Sequence, residues 1–175
     1  VKQILKAEVE SLGGLQLKCS ARGFEFIIDE PENVGGTNEA MNPLEALLCS
    51  LGACKMMVVR FFYQAKQINL KSMRVEILGE IDSDRLKGKP NVKIGFSKII
   101  TNYYIDADNT DEEIKDLVAF IETTCPVKDT IVNAPEMELH INPWNKLWQN
   151  SCHSLFLEEV DVAATSLSFQ QSIFI

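Results

Sequence analysis

Asn42-Pro43-Leu44-Glu45-Ala46-Leu47-Leu48-Cys49-Ser50-Leu51-Gly52-Ala53-Cys54 opens a long apolar helix that the pattern carries to about Lys66. Asn42 suits the N-cap and Pro43 the first helical position, while Glu45, three residues past the cap, can reach back to the cap's own N–H. Leu44, Leu47, Leu48, Leu51, Met57, Val58, Phe61 and Phe62 spread over more than one stripe. A helix that is apolar around most of its circumference is a central, buried one, and the rest of the chain is expected to wrap around it.

The whole chain has 175 residues, 46% of them hydrophobic, which is enough for one domain with a real core. A net charge of −8 and a pI near 4.8 argue against nucleic acid, and no basic cluster with interleaved aromatics offsets them. The apolar runs are too short and interrupted for a membrane span, and no charged-then-apolar leader opens the chain at Val1. The expected compartment is therefore the cytoplasm, where an odd count of 5 cysteines without paired spacing is no disulfide framework.

Outward from the helix the pattern is strand-rich. Leu5, Ala7 and Val9 alternate with charged residues, Gly13-Gly14 turns the chain, and Leu15, Leu17 and Cys19 resume the alternation, which predicts a hairpin. Ala21-Arg22-Gly23 leads into a third strand over Phe24 to Asp29, and a loop from Glu30 to Met41 delivers the chain to the helix. A fourth strand is expected around Met73 to Ile81 and a fifth from Val92 to Ile105, joined by a charged turn from Asp82 to Pro90. The slip in alternation at Ile99-Ile100 suggests a bulge. Thr110-Asp111-Glu112-Glu113 is a second capping box, followed by Ile114, Leu117, Val118 and Ile121 at helical spacing. Pro126 must end or kink that helix near Cys125 and can start another turn to Val132, which places the Cys125 thiol at a helix N-terminus. Met137, Leu139 and Ile141 alternate as a sixth strand. The order βββ-α-ββ-α-β is an α+β fold of mostly antiparallel sheet with helices on one side. It gives a domain over 1–141 and a C-terminal extension over 142–175, in which Trp144 to Leu157 is apolar enough to dock on the body or on a partner.

The chemistry rests in the cysteines. Cys49 and Cys54 are separated by roughly 8 Å along one helix and cannot bond each other. Their spacing does not suit metal chelation, and the chain has neither Cys-x-x-Cys nor His-x-x-x-His, so no metal is expected. Taken alone, Cys49 and Cys54 read as small core residues, and Cys125 beside Pro126 reads as either an activated thiol or a buried one. Gly52 costs a helix about 1 kcal/mol relative to Ala, which makes sense where backbones approach closely: two such helices crossing, or room for Phe61 or Phe24 of the same chain. Either leaves Cys54 in a water-poor site that raises a thiol's pKa unless a cation or dipole compensates.

Asn-Pro-x-Glu-x-Leu-Leu-x-x-x-Gly-Ala-Cys at Asn42 to Cys54, followed by Cys-Pro-Val-Lys at Cys125 to Lys128, resembles the OsmC/Ohr family of osmotically inducible and organic hydroperoxide resistance proteins. The resemblance covers about Val1 to Ile141 in motif and element order. It implies an intertwined homodimer with two central helices embraced by two sheets and an active site at each subunit boundary. It further implies a thiol peroxidase without cofactor, in which Cys54 is peroxidatic and Cys125 resolving, an organic hydroperoxide is the substrate, and an external dithiol resets the pair. In the Ohr branch an arginine of the first hairpin, held by a glutamate directly after Asn-Pro, stabilises the thiolate. Here Leu44 takes the glutamate's place and the Gly13-Gly14 turn has no arginine. Glu45 stands one residue later, about 180° round the helix from Cys54, and reads best as the cap partner. Arg22 is the remaining candidate to reach a thiolate across the interface, unless it is a solvated turn residue. The competing expectations are a non-catalytic protein holding a small hydrophobic ligand in the dimer cleft and, more weakly, a structural or stress-assembly domain.

Overall fold

The computed structural model describes residues 1–84 and 91–142. Three short strands, β1 (Glu8–Gly13), β2 (Gln16–Ala21) and β3 (Phe24–Ile28), form an antiparallel sheet in the order β1-β2-β3. Arg22 and Gly23 alone join β2 to β3, with φ of 54° and 84°, the pair of left-handed residues that a two-residue hairpin loop matched to strand twist requires. A loop with one short 3-10 turn (Glu32–Val34) follows and is tied down from its start by fully buried Asp29. The Asp29 carboxylate accepts from the N–H groups of Glu30, Thr37 and Glu39 and from Thr37 Oγ1 at 2.6 Å.

The chain then enters α1 (Pro43–Phe62) through a complete capping box: Glu45 N–H donates to Asn42 Oδ1 at 2.9 Å, and Asn42 N–H donates to Glu45 Oε2 at 2.8 Å. Strands β4 (Leu70–Glu80) and β5 (Lys98–Ala107) make a second antiparallel sheet against α1, and α2 (Asp111–Thr124) and α3 (Pro126–Val132) close the order. The second capping box, Thr110 with Glu113, also forms. The core lies between α1, α2 and the β4–β5 sheet: Leu51, Val58, Val59, Ile68, Leu117, Ile121 and Cys125, flanked by Met73, Ile77, Ile99 and Tyr103.

Several expectations change in detail. Ile99 and Ile100 pair regularly with Gly79 and Leu78, so there is no bulge there; the register shift falls instead at Leu70–Ser72. The break in alternation has a simpler cause: Ile99 joins the core and Ile100 stands opposite Leu78 on the outer face. Residues 92–97 precede β5 and are not strand. Within this chain Gly52 makes room for neither Phe24 nor Phe61. A Cβ there would stand 3.2 Å from Ile77 Cγ1, so the close approach is between α1 and β4. Met137, Leu139 and Ile141 form no strand, because among the described residues the sheets are β1-β2-β3 and β4-β5 and a strand exists only by pairing. All three side chains are exposed. Residues 85–90 of the charged turn, and the tail from 143 onward with its expected docking of Trp144 to Leu157, lie outside the described residues.

Within one chain α1 is buried along a single stripe, Leu51, Lys55, Val58 and Val59. Its other apolar side chains, among them Leu47, Met57 and Phe61, face outward, and so do Phe24 and Phe26 of the first sheet. The β1–β3 sheet makes no substantial packing against α1 in its own chain.

Candidate functional site

The stripe that α2 turns toward α1 runs Ile114, Leu117, Ile121 and ends on Cys125, and the core face of α1 passes beside it at Cys54. Cys125 terminates α2 with its N–H donating to the Ile121 carbonyl, then starts α3, where Pro126 fills the first helical position and Lys128 N–H points at Cys125 Sγ, 3.4 Å away. Cys125 is 2% exposed. Its Sγ lies 3.0 Å from Cys54 Sγ across 71 residues of sequence. About one ångström of movement separates these sulfurs from a disulfide bond.

Burial, and next the hydrogen bond from Cys125, push the Cys54 thiol above its ordinary value; the Val127 N–H and the Lys55 ammonium act in the opposite direction. Lys55 is itself 2% exposed and is satisfied by Glu122 Oε1 at 2.5 Å and Thr101 Oγ1 at 2.8 Å. Glu122 accepts a further hydrogen bond from the Tyr103 hydroxyl at 2.6 Å, and Lys128 Nζ stands 3.0 Å from its other oxygen. The two sulfurs thus adjoin a polar cluster in which α1, α2, α3 and β5 each supply a member.

The other residues singled out from the sequence lie elsewhere. Glu45 is engaged in the capping box at the start of α1. Arg22 sits at the exposed β2–β3 turn, its guanidinium 5.6 Å from the Phe24 ring centroid, beside a hollow of about 780 Å³ that Leu5, Ala7 and Glu25 help line. Cys49 is exposed on α1. Among the described residues no group of His, Cys, Asp and Glu could hold a metal ion, and no helix is long and apolar enough to cross a membrane. Sequence reading missed Lys55, Glu122, Tyr103 and Thr101. The available signal was a lysine inside the run Leu51 to Val59, at a position that helical spacing puts on the buried stripe, where a cation requires a carboxylate partner.

The cluster gives the fold an acid-sensitive joint. Burial pushes the Glu122 carboxyl up, but hydrogen bonds from Lys55, Tyr103 and Lys128 and the charge of Lys55 outweigh it and hold the group at about 2 against an ordinary 4.5. Asp29 is likewise held at about 2 against 3.8, first by the Thr37 hydroxyl and then by the N–H groups of its loop, with burial opposing. Both carboxyls bind protons less readily folded than unfolded, so their stabilisation is complete above the ordinary values and is lost as pH falls toward 2. Urea midpoints measured down this range should fall for the native chain and fall less for Glu122→Gln and Asp29→Asn. Equal slopes in all three would show that neither carboxylate carries the effect.

The family described as OsmC-like protein matches residues 36–140 of the chain. A hydroperoxide reductase of Mycoplasma pneumoniae is 24% identical over 106 residues, which are 61% of this chain and 72% of that protein. A hydroperoxide reductase of Mycoplasma genitalium is 27% identical over 105 residues, 60% of this chain and 72% of its own length. In fold, the chain is similar to an OsmC like protein from Mycoplasma pneumoniae with a TM-score of 0.61 at 21% identity, over 77% of this chain and 89% of the other.

Proposed function

This chain belongs to the OsmC-like protein family, and from that premise we propose that it is a cysteine-based peroxidase that reduces organic hydroperoxides. The observation that carries the reading is the 3.0 Å approach of Cys54 Sγ and Cys125 Sγ, two residues with no reason in sequence spacing to meet. The names of the curated relatives agree with it. The Cys54 thiolate sulfur attacks the terminal oxygen of the hydroperoxide; the S–O bond forms as the O–O bond breaks, and the alcohol leaves with a proton. Cys125 then attacks the sulfenic sulfur, the S–S bond replaces the S–O bond, and water departs with the Cys125 proton. An external dithiol, oxidised to its own disulfide, returns both thiols. Consumption of an organic hydroperoxide by the full chain, assayed with a lipoyl-type dithiol and with other thiol reductants, tests the reading. Turnover with at least one of them is expected; no consumption with any would favour a protein that only holds a hydrophobic ligand.

The working unit is a homodimer. Phe24, Phe26, Met57 and Phe61, with the unpaired Met137, Leu139 and Ile141, expose more apolar surface than a monomer of this size sustains. A second copy can cover α1, pair the 137–141 segment and bring Arg22 of its own β2–β3 turn toward the sulfurs. Solution scattering should give a dimer at micromolar concentration with an interface above roughly 2,000 Å² in total. Monomers at that concentration would contradict it.

A further inference from the structure

The charges that meet beside the sulfurs do not cancel. Lys55 comes from α1, Lys128 from α3 and Glu122 from α2, while Tyr103 on β5 is kept a neutral phenol, its pKa pushed up by burial and by Glu122. The β4 residues facing α1 here, Met73, Val75 and Ile77, carry no charge. Two ammonium groups therefore share one carboxylate. Lys55 lies out of reach of water at 2% exposure, whereas Lys128 is half-buried, so the surplus positive charge is poorly screened. Among the described residues the remaining ionisable groups packed here are the thiols of Cys54, next to Lys55 in the chain, and Cys125, which starts the helix that carries Lys128.

We propose that Lys55 tunes the reactivity of Cys54: its buried ammonium opposes the burial that disfavours the Cys54 thiolate, and Glu122, by sharing that ammonium, sets how strongly it does so. A Cys54 thiolate brings the cluster to neutrality, and its consumption by the peroxide restores the surplus. Burial and the Cys125 hydrogen bond outweigh the Lys55 charge, which acts in the lowering direction, and leave the Cys54 thiol above its ordinary value. Glu122 has a structural part as well, since Lys128 also donates to its carbonyl oxygen at 2.7 Å and so fixes α3 to the end of α2. The inference rests on the peroxidase reading for its substrate but not for its thiol chemistry.

Lys55→Met and Glu122→Gln break the same ion pair, so a merely structural role moves the site in the same direction in both. The electrostatic role moves it in opposite directions. The probe is the pH profile of Cys54 alkylation by iodoacetamide, read at the Cys54 peptide in the full chain, with hydroperoxide kcat/KM measured alongside. Lys55→Met should shift the midpoint upward and slow alkylation at neutral pH. Glu122→Gln should shift it downward and speed alkylation, and Lys55→Arg should restore the native profile. Lys128→Met, at a half-buried position, should shift the midpoint upward by less than Lys55→Met. Midpoints displaced in the same direction in Lys55→Met and Glu122→Gln overturn the proposal. So does a midpoint unchanged in both Glu122→Gln and Lys128→Met, which decides the matter even where Lys55→Met does not fold. Opposed alkylation shifts in a chain that consumes no hydroperoxide would uphold the role of Lys55 and remove the peroxidase reading instead.

Discussion

Cys54→Ser should abolish hydroperoxide consumption outright, whereas Cys125→Ser should react once and stop. A serine hydroxyl is protonated at neutral pH and has no base in hydrogen-bond contact here, so it cannot replace a thiolate as nucleophile. In Cys125→Ser the Cys54 thiolate is still present to attack, but the sulfenic acid that forms lacks the sulfur that stood 3.0 Å away. It should advance to sulfinic acid under excess peroxide. Cys49→Ser should leave consumption nearly unchanged, since Cys49 is exposed and helical geometry keeps it from Cys54. Intact mass after graded additions of peroxide separates these outcomes. Continued turnover by Cys54→Ser would move the chemistry to another residue.

Ile121→Ala should cost about 2–5 kcal/mol of folding stability and with it most of the site, because Ile121 is fully buried and its carbonyl accepts the Cys125 N–H. Deleting the side chain opens a cavity one turn from Cys125 and beside Glu122, so the sulfur and the carboxylate lose their support together. The expected result is a fall in denaturation midpoint together with slower disulfide formation after the first oxidation. Ile121→Val, which removes one methyl group, should cost about 0.5–1.5 kcal/mol and keep the chemistry. A full native stability in Ile121→Ala would contradict the packing described around Cys125.

What could be read from the sequence was whatever local rules decide. Both capping boxes form as the Asn42–Glu45 and Thr110–Glu113 spacing requires, and Pro126 divides α2 from α3 at Cys125. Partnerships that depend on which elements face each other were not legible. The Met137–Ile141 segment has strand alternation but pairs with no strand among the described residues. The exposed apolar side of α1, which the composition of the helix marks as interior, has no cover among the described residues either. In the site, two motifs announced the sulfurs, yet the polar residues beside them carry no motif: Lys55 meets Glu122 across 67 positions and Thr101 across 46. Only the α1–α2 packing and the register of β5 bring those groups together.

Peptide mapping of the native chain after one equivalent of an organic hydroperoxide decides whether Cys54 and Cys125 form one redox pair. The expected result is loss of both thiols and a cross-linked peptide pair containing Cys54 and Cys125, absent from Cys125→Ser, in which Cys54 alone is oxidised. An unmodified Cys54, or the same oxidation pattern in the native chain and in Cys125→Ser, would contradict it.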